Sequence, residues 1–184
     1  ATRRQSLMCA DTPRSAPTPN PVTRVGIVAR AELTEAAPVV RDVVNWLTER
    51  DLIPVVERGT AKLADLTSVS TADATALPEA VDLMLILGGD GTLLGMARRI
   101  AVADADPPIL AINFGGLGFL TEITLPELYG ALASAIDGTA RVDHRRMLQS
   151  CVLHDGGVRS KDLVLNDVVI TKSALSGILD LSVS

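Results

Sequence analysis

The sequence predicts an α/β protein: an open, Rossmann-like unit with a parallel sheet, giving way to the start of an antiparallel all-β unit. Three observations carry that prediction. Between residues 25 and 136, short apolar runs of strand length alternate with stretches of helical period, the pattern of successive βαβ units. The run Leu83-Met84-Leu85-Ile86-Leu87 is unbroken, as in a strand buried on both faces of a parallel sheet, and it passes straight into glycines. After Gly138 the period changes from 3.6 to 2. Composition agrees, since 47% of the 184 residues are apolar but only 2% aromatic, which suits a Val-, Leu- and Ala-rich α/β core better than an aromatic-lined barrel.

Taken in order, residues 1–21 are rich in Pro, Thr, Ser and Arg without an apolar core segment. They read as a disordered tail and not a secretory signal, with Arg3, Arg4 and Arg14 leaving an organelle-transit reading open. Residues 25–29 predict a first strand. Residues 35–50 predict a helix with Ala36, Val39, Val40, Val43, Trp46 and Leu47 on one face and Thr34 as its N-cap. A second strand is expected at 52–57. The small, polar stretch 59–78, with weak helical pieces around 61–66, is expected to be a variable surface loop carrying no chemistry. The strand at 83–87 then runs through a glycine turn into a helix opened by Thr92, and Pro107-Pro108 precedes a strand at 109–113. Residues 125–136 form a helix closed by Gly138. Beyond a boundary near Arg141, antiparallel strands are expected at 148–154, 163–171 and 178–184. The division is thus a tail (1–21), an α/β nucleotide-binding unit (22–140) and the first strands of an all-β domain (141–184). Because the chain opens on Ala1 and closes on an alternating strand pattern with no turn after it, we expect a fragment.

Charge and cysteine content exclude several classes. A net charge of −5 argues against a general nucleic-acid binder, and no apolar run approaches the ~20 residues of a membrane span. Cys9 and Cys151 form neither CxxC nor a disulfide framework, which favours a reducing, cytoplasmic setting. His144 and His154 lack metal-ligand spacing and are expected on a sheet surface; no protein metal site is expected.

Chemistry concentrates where the strand at 83–87 ends. Gly88, Gly89 and Gly91 allow positive φ and close approach of a ligand, and the next helix points free N–H groups at the same spot, a favourable place for a phosphate. Amid this anion-friendly turn stands Asp90, better suited to act as a base or metal ligand than to touch phosphate. The alternative is a plain glycine-rich turn with Asp90 capping the helix. No Gly-Lys pair exists for a Walker A loop, and Leu94 stands where GxGxxG requires its third glycine. One strand over, Asn113 opens Asn113-Phe114-Gly115-Gly116-Leu117-Gly118-Phe119-Leu120, a glycine turn with two phenylalanines as a hydrophobic plug and Asn113 lining the crevice. Farther on, the adjacent Asn166 and Asp167 are unusual in an apolar strand. Either they read an adenine edge or ribose hydroxyls, or one of them starts a bulge.

Gly88-Gly89-Asp90-Gly91-Thr92 resembles the GGDGT signature of NAD kinases, diacylglycerol and sphingosine kinases and, more loosely, phosphofructokinases. The segment 113–120 resembles the NxGxLGFL motif of NAD kinases, and Asn166-Asp167 resembles that family's third motif, Asn followed by Glu or Asp. The three occur in family order, so the resemblance to bacterial NAD kinases extends over nearly all of 22–184. It implies an α/β domain followed by a β-sandwich. It also implies transfer of the terminal phosphoryl group of ATP, or of polyphosphate, to the 2′-hydroxyl of the adenosine ribose of NAD, with Mg²⁺ on the donor phosphates. Under it Asp90 is the general base, and Gly89, Gly91 and Thr92 contact phosphates. Asn113 lines the crevice, Asn166 and Asp167 hold NAD, and the protein is a dimer or tetramer. Three departures stand out. No TPTGSTAY-like segment is present, Ser176-Gly177 occupies the place of a basic residue, and Asp167 replaces a more usual Glu. The rival readings are a lipid kinase of the GGDGT type and a non-catalytic nucleotide-binding regulator, the latter having no use for Asp90.

Overall fold

The computed structural model describes residues 21–169 except Leu117 and Gly156. Six strands form one parallel sheet: β1 (Arg24–Ala29), β2 (Ile53–Glu57), β3 (Ser70–Ala72), β4 (Leu83–Gly88), β5 (Ile109–Asn113) and β6 (Ile123–Thr124). Their order is β3-β2-β1-β4-β5-β6. The chain therefore works outward from β1, returns to its other side at β4 and works outward again. That reversal leaves a crevice between the carboxyl ends of β1 and β4, where ligands of open α/β sheets bind.

Four helices cover the sheet: α1 (Ala36–Thr48), α2 (Arg58–Leu63), α3 (Asp90–Val102) and α4 (Leu128–Ile136). All six residues of β4 are buried, and its alternating side chains feed two cores. Leu83, Leu85 and Leu87 join Val25, Ile27 and Ile112 beneath Val40, Val43 and Leu47 of α1 and Leu128 and Leu132 of α4. On the opposite face Met84 and Ile86 pack with Val28, Ala111, Leu77 and Met96 of α3. Helix α3 thus shares its side of the site-bearing strands with the 3₁₀ turn that carries Leu77, and its first turn stands at the crevice.

Each helix stops in the same way. Asp51, Asp65, Asp104 and Gly138 follow α1 to α4 with φ of 57°, 53°, 51° and 70°. The next N–H reaches back five residues in every case: Leu52 to Leu47 (3.1 Å), Leu66 to Ala61 (2.9 Å), Ala105 to Ile100 (3.2 Å) and Thr139 to Ser134 (2.9 Å). These are Schellman closures, using glycine once and otherwise aspartate, whose short polar side chain tolerates the left-handed region.

Several expectations change. The stretch 59–78 is not a loop: it holds α2, β3 and the start of a 3₁₀ turn at Leu77–Ala80, with Thr60 and Leu77 buried. Elements of three to six residues are too short to display a period. Thr34 does not cap α1. Glu35 stands at that place without a side-chain cap, because the turn carbonyls of Leu33 and Thr34 already accept from Ala36 (2.9 Å) and Ala37 (3.1 Å). Trp46 is half-buried at the rim, its ring 5.7 Å from that of Tyr129 and covered by the Arg50 guanidinium at 3.8 Å.

Beyond α4, β7 (Leu148–His154) and β8 (Gly157–Val164) pair antiparallel. The second strand begins six residues earlier than the pattern suggested and ends before Asn166. Asp162 of this hairpin bonds Arg98 of α3 at 2.7 Å, whereas Leu148 and Leu153 stay exposed. His154 lies at the end of β7, but His144 falls on an exposed segment without regular structure. Expectations for residues 1–20 and 170–184, the last strand included, lie outside the described residues. Among the described residues no helix is long and apolar enough to cross a membrane.

The sheet's dependence on β4 is measurable. Leu85→Ala removes a fully buried side chain of the central strand and is expected to cost about 2–5 kcal/mol, read from urea or guanidinium denaturation.

Candidate active site

Strand β4 ends at Gly88, Gly89 follows in extended conformation as N-cap, and α3 starts at Asp90, two residues before Thr92. The Gly89 carbonyl accepts from the N–H of Thr92 (3.0 Å) and Leu93 (3.2 Å), so the turn closes by backbone alone. Positive φ, which the glycines suggested, is not used here: among the described glycines only Gly138 has it. Gly88 is required by packing, because a Cβ there would stand 2.7 Å from Thr92 Oγ1. At Gly89 and Gly91 a Cβ would meet nothing within 4 Å, so packing does not explain those two.

Asp90 lies in the first turn of α3, where the helix dipole favours a carboxylate. It faces the segment leaving β5. Its Oδ2 accepts from Phe119 N–H at 2.9 Å, and Oδ1 accepts from Leu120 N–H (3.2 Å), Thr121 N–H (3.1 Å) and Thr121 Oγ1 (2.9 Å). Desolvation pushes this carboxyl's pKa up. The Thr121 hydroxyl, followed by the N–H groups of Phe119, Leu120 and Thr121, outweighs that and holds it below the ordinary aspartate value. Gly118 is the residue that lets the two segments meet, since a Cβ there would run into the Asp90 carboxylate and come 2.7 Å from Thr121 Oγ1.

Asn113, opposite Gly88 in the β4–β5 register, is buried. Its Oδ1 accepts from Gly115 N–H (2.8 Å) while Nδ2 donates to the carbonyls of Gly116 (2.8 Å) and Thr121 (3.4 Å). Asn113 therefore shapes the 113–121 segment rather than lining the crevice. The hydrophobic plug is only half present: Phe114 packs against the core, but Phe119 is 90% exposed.

A cavity of about 490 Å³ opens at the sheet reversal beside Gly89, Gly91 and Thr92. Arg30 beyond β1, Glu57 at the end of β2 and Arg99 on α3 complete its charged lining. Glu57 Oε2 is engaged by the N–H (2.7 Å) and hydroxyl (3.0 Å) of Thr60, and Arg99 bonds the Gly95 carbonyl (3.0 Å) one turn back along α3. Sequence reasoning missed Arg30, Glu57, Arg99 and Thr121, and it read Gly118 only as one of the motif's glycines. Arg30 stands just past the carboxyl end of β1, beside β4, and Glu57 at that of β2, one strand farther out, positions readable only once the strand order is known. Thr121 was legible in principle, directly after the Phe119-Leu120 pair.

Structure thus brings together Asp90, Gly89, Gly91, Thr92 and the segment built on Asn113. It does not join Asn166 and Asp167 to them: both are exposed after β8, and neither is hydrogen-bonded to the Asp90–Thr121 cluster.

Comparison with known proteins gives the family and the fold. The family model described as the ATP-NAD kinase N-terminal domain matches residues 25–140, well over half of the chain. The NAD kinase of Syntrophotalea carbinolica is 43% identical over 162 residues, covering 88% of this chain and 55% of that protein. The NAD kinase of Geotalea daltonii is 43% identical over 159 residues, covering 86% and 54%. In fold, the crystal structure of yeast NADH kinase complexed with NADH overlays with a TM-score of 0.63 at 22% identity, over 81% of this chain and 50% of that one. The Archaeoglobus fulgidus NAD kinase in complex with ATP gives 0.50 at 19% identity, over 73% and 45%. The chain spans about half the length of the curated relatives it matches. With that span, the matched N-terminal model and the Asp90 turn at the sheet reversal, this chain belongs to the NAD kinase family.

Proposed function

We propose that the protein transfers the terminal phosphoryl group of ATP, or of polyphosphate, to the 2′-hydroxyl of the adenosine ribose of NAD, giving NADP. The observation that carries this reading is the Asp90 carboxylate, held below its ordinary pKa in the first turn of a helix whose neighbouring Gly89, Gly91 and Thr92 line a crevice with Arg30, Arg99 and Glu57. A helix N-terminus flanked by Gly89 and Gly91 suits donor phosphates passing close to bare backbone, and Thr92, Arg30 and Arg99 border the same space. Asp90 then accepts the acceptor hydroxyl's proton. A carboxylate of lowered pKa is a weak base, which suits a loose phosphoryl-transfer transition state in which the proton leaves late.

Mg²⁺ fits as part of the donor. Among the described residues no group of three His, Cys, Asp or Glu could hold a metal ion, whereas Mg²⁺ commonly rides on phosphates with one or two carboxylates and water. When bound it neutralises charge on the donor phosphates. Residues 22–140 form the nucleotide-binding unit in this reading and 141–184 the first strands of an all-β domain. There Asn166 and Asp167, both solvent-accessible, contact NAD. A homo-oligomer follows from the family resemblance, and a cytoplasmic setting from the cysteine usage.

Incubating the full-length protein with labelled ATP and either NAD or diacylglycerol tests the reading: labelled NADP is expected, and label in the lipid would overturn it. Asp90→Asn is expected to lower kcat by about 10²–10⁴-fold with the fold retained by circular dichroism. Since the Asp90 pKa is lowered, wild-type kcat/KM should keep its plateau through the neutral range and fall only below the ordinary carboxylate range, as Asp90 takes up a proton. Asp167→Ala should raise KM for NAD several-fold while kcat holds, because a residue that grips the acceptor contributes mostly uniform binding.

A further inference from the structure

We propose that Thr121 is a positioning residue that makes Asp90 a one-sided base, saturating Oδ1 so that Oδ2 alone meets the acceptor hydroxyl. This rests on the base role given to Asp90 above.

The argument is a count of lone pairs. An ionised carboxylate offers about four acceptor sites, two on each oxygen. Among the described residues Oδ1 receives three donors, from Leu120, Thr121 and the Thr121 hydroxyl, and Oδ2 receives one, from Phe119. Oδ2 therefore keeps the open lone pair, and the direction of that lone pair is set by what holds Oδ1. Of the three donors to Oδ1, two are backbone N–H groups present for any residue other than proline. The hydroxyl at 2.9 Å is the only one that a side chain supplies. Thr121 is 1% exposed, so bulk water does not compete for this bond in the intact protein. Its own carbonyl accepts from Asn113 Nδ2, which ties its backbone to the end of β5. The contact thus links two strand ends, β4 through Asp90 and β5 through Asn113.

In the transfer step, the acceptor oxygen forms a bond to the terminal phosphorus while the bond from phosphorus to the donor's bridging oxygen breaks. The electron pair leaves on that bridging oxygen, and the acceptor's proton passes to Asp90 Oδ2. Thr121 takes no proton at any stage. Its hydroxyl donates to Oδ1 throughout and leads the bonds that bring Asp90 below its ordinary pKa against desolvation. The charged groups bordering the crevice are Arg30 beyond β1, Glu57 on β2 and Arg99 farther along α3 itself, with Glu122 next to Thr121 in the chain. All four remain in a Thr121 variant, so a change in pH dependence reports the hydroxyl.

The test compares Thr121→Val, Thr121→Ala and Thr121→Ser with wild type in the full-length protein, with NAD and ATP each varied. Val and Ala are expected to lower kcat, by up to about 10²-fold for a misplaced base, with both KM values nearly unchanged. The acidic limb of kcat/KM should move to higher pH, because loss of the hydroxyl raises the pKa of the carboxylate. Ser should restore both. If Val does not fold, Ala provides the reading, since it leaves a smaller side chain and no polar atom. Wild-type kcat and an unmoved acidic limb in a folded Val or Ala variant would overturn the positioning role. Should Asp90→Asn itself retain full activity, the base assignment fails instead, so the two failures are told apart.

Discussion

A carboxylate in the first turn of α3 bonds three successive N–H groups and one hydroxyl of a segment that leaves a different strand. Each of these bonds involves an ionised acceptor, and such bonds are shorter and roughly twice as strong as neutral ones. Asp90 is therefore a joint as well as a chemical group. It fixes the path of residues 118–121 and demands glycine at 118. Asn113 works toward the same end from within the segment, spending both ends of its amide on the 113–121 backbone. The two polar side chains at the ends of β4 and β5 thus hold one loop between them.

This joint is where it is because of the sheet. Strand β4 is buried on both faces, so nothing but its carboxyl end can present polar groups to a ligand. The reversal of strand order between β1 and β4 leaves that end without a covering connection, and Arg30, Glu57 and Arg99 converge there from three separate elements. The glycines divide accordingly. Gly88 and Gly118 are bare because neighbouring side chains press against them, whereas Gly89 and Gly91 are bare in open space beside the cavity. Only the second pair asks for an explanation outside the fold, and close approach of a ligand to the backbone supplies it.

The hairpin of β7 and β8 stands in a different relation to the site. Its tie to α3 is a half-exposed ion pair, Arg98 with Asp162, of the kind that contributes roughly 0–1 kcal/mol. Its apolar positions Leu148, Val152 and Leu153 face solvent. Asn166 and Asp167 follow directly, so their placement depends on a part of the molecule that the α/β core holds only lightly.

What the sequence by itself determined was the set of elements with enough length or apolar run to display a pattern. These are β1, β2, β4, β5, β7, α1, α3 and α4, the alternation that makes the sheet parallel, and the turn that puts Asp90 after a buried strand. Hydrophobic periodicity is a local property, and it survives without knowledge of neighbours. The short elements between 58 and 80 escaped because three to six residues cannot show a period, and Thr60 is buried only because Glu57 and Ala29 satisfy its hydroxyl. Tertiary structure alone decided the partners of the functional groups. That Asp90 meets Phe119, Leu120 and Thr121, that Asn113 turns inward, and that Arg30 and Glu57 border the cavity all follow from the order β3-β2-β1-β4-β5-β6. Contacts between groups some thirty or sixty residues apart leave no periodic trace in one chain. They exist only once backbone pairing has set which strand ends lie side by side.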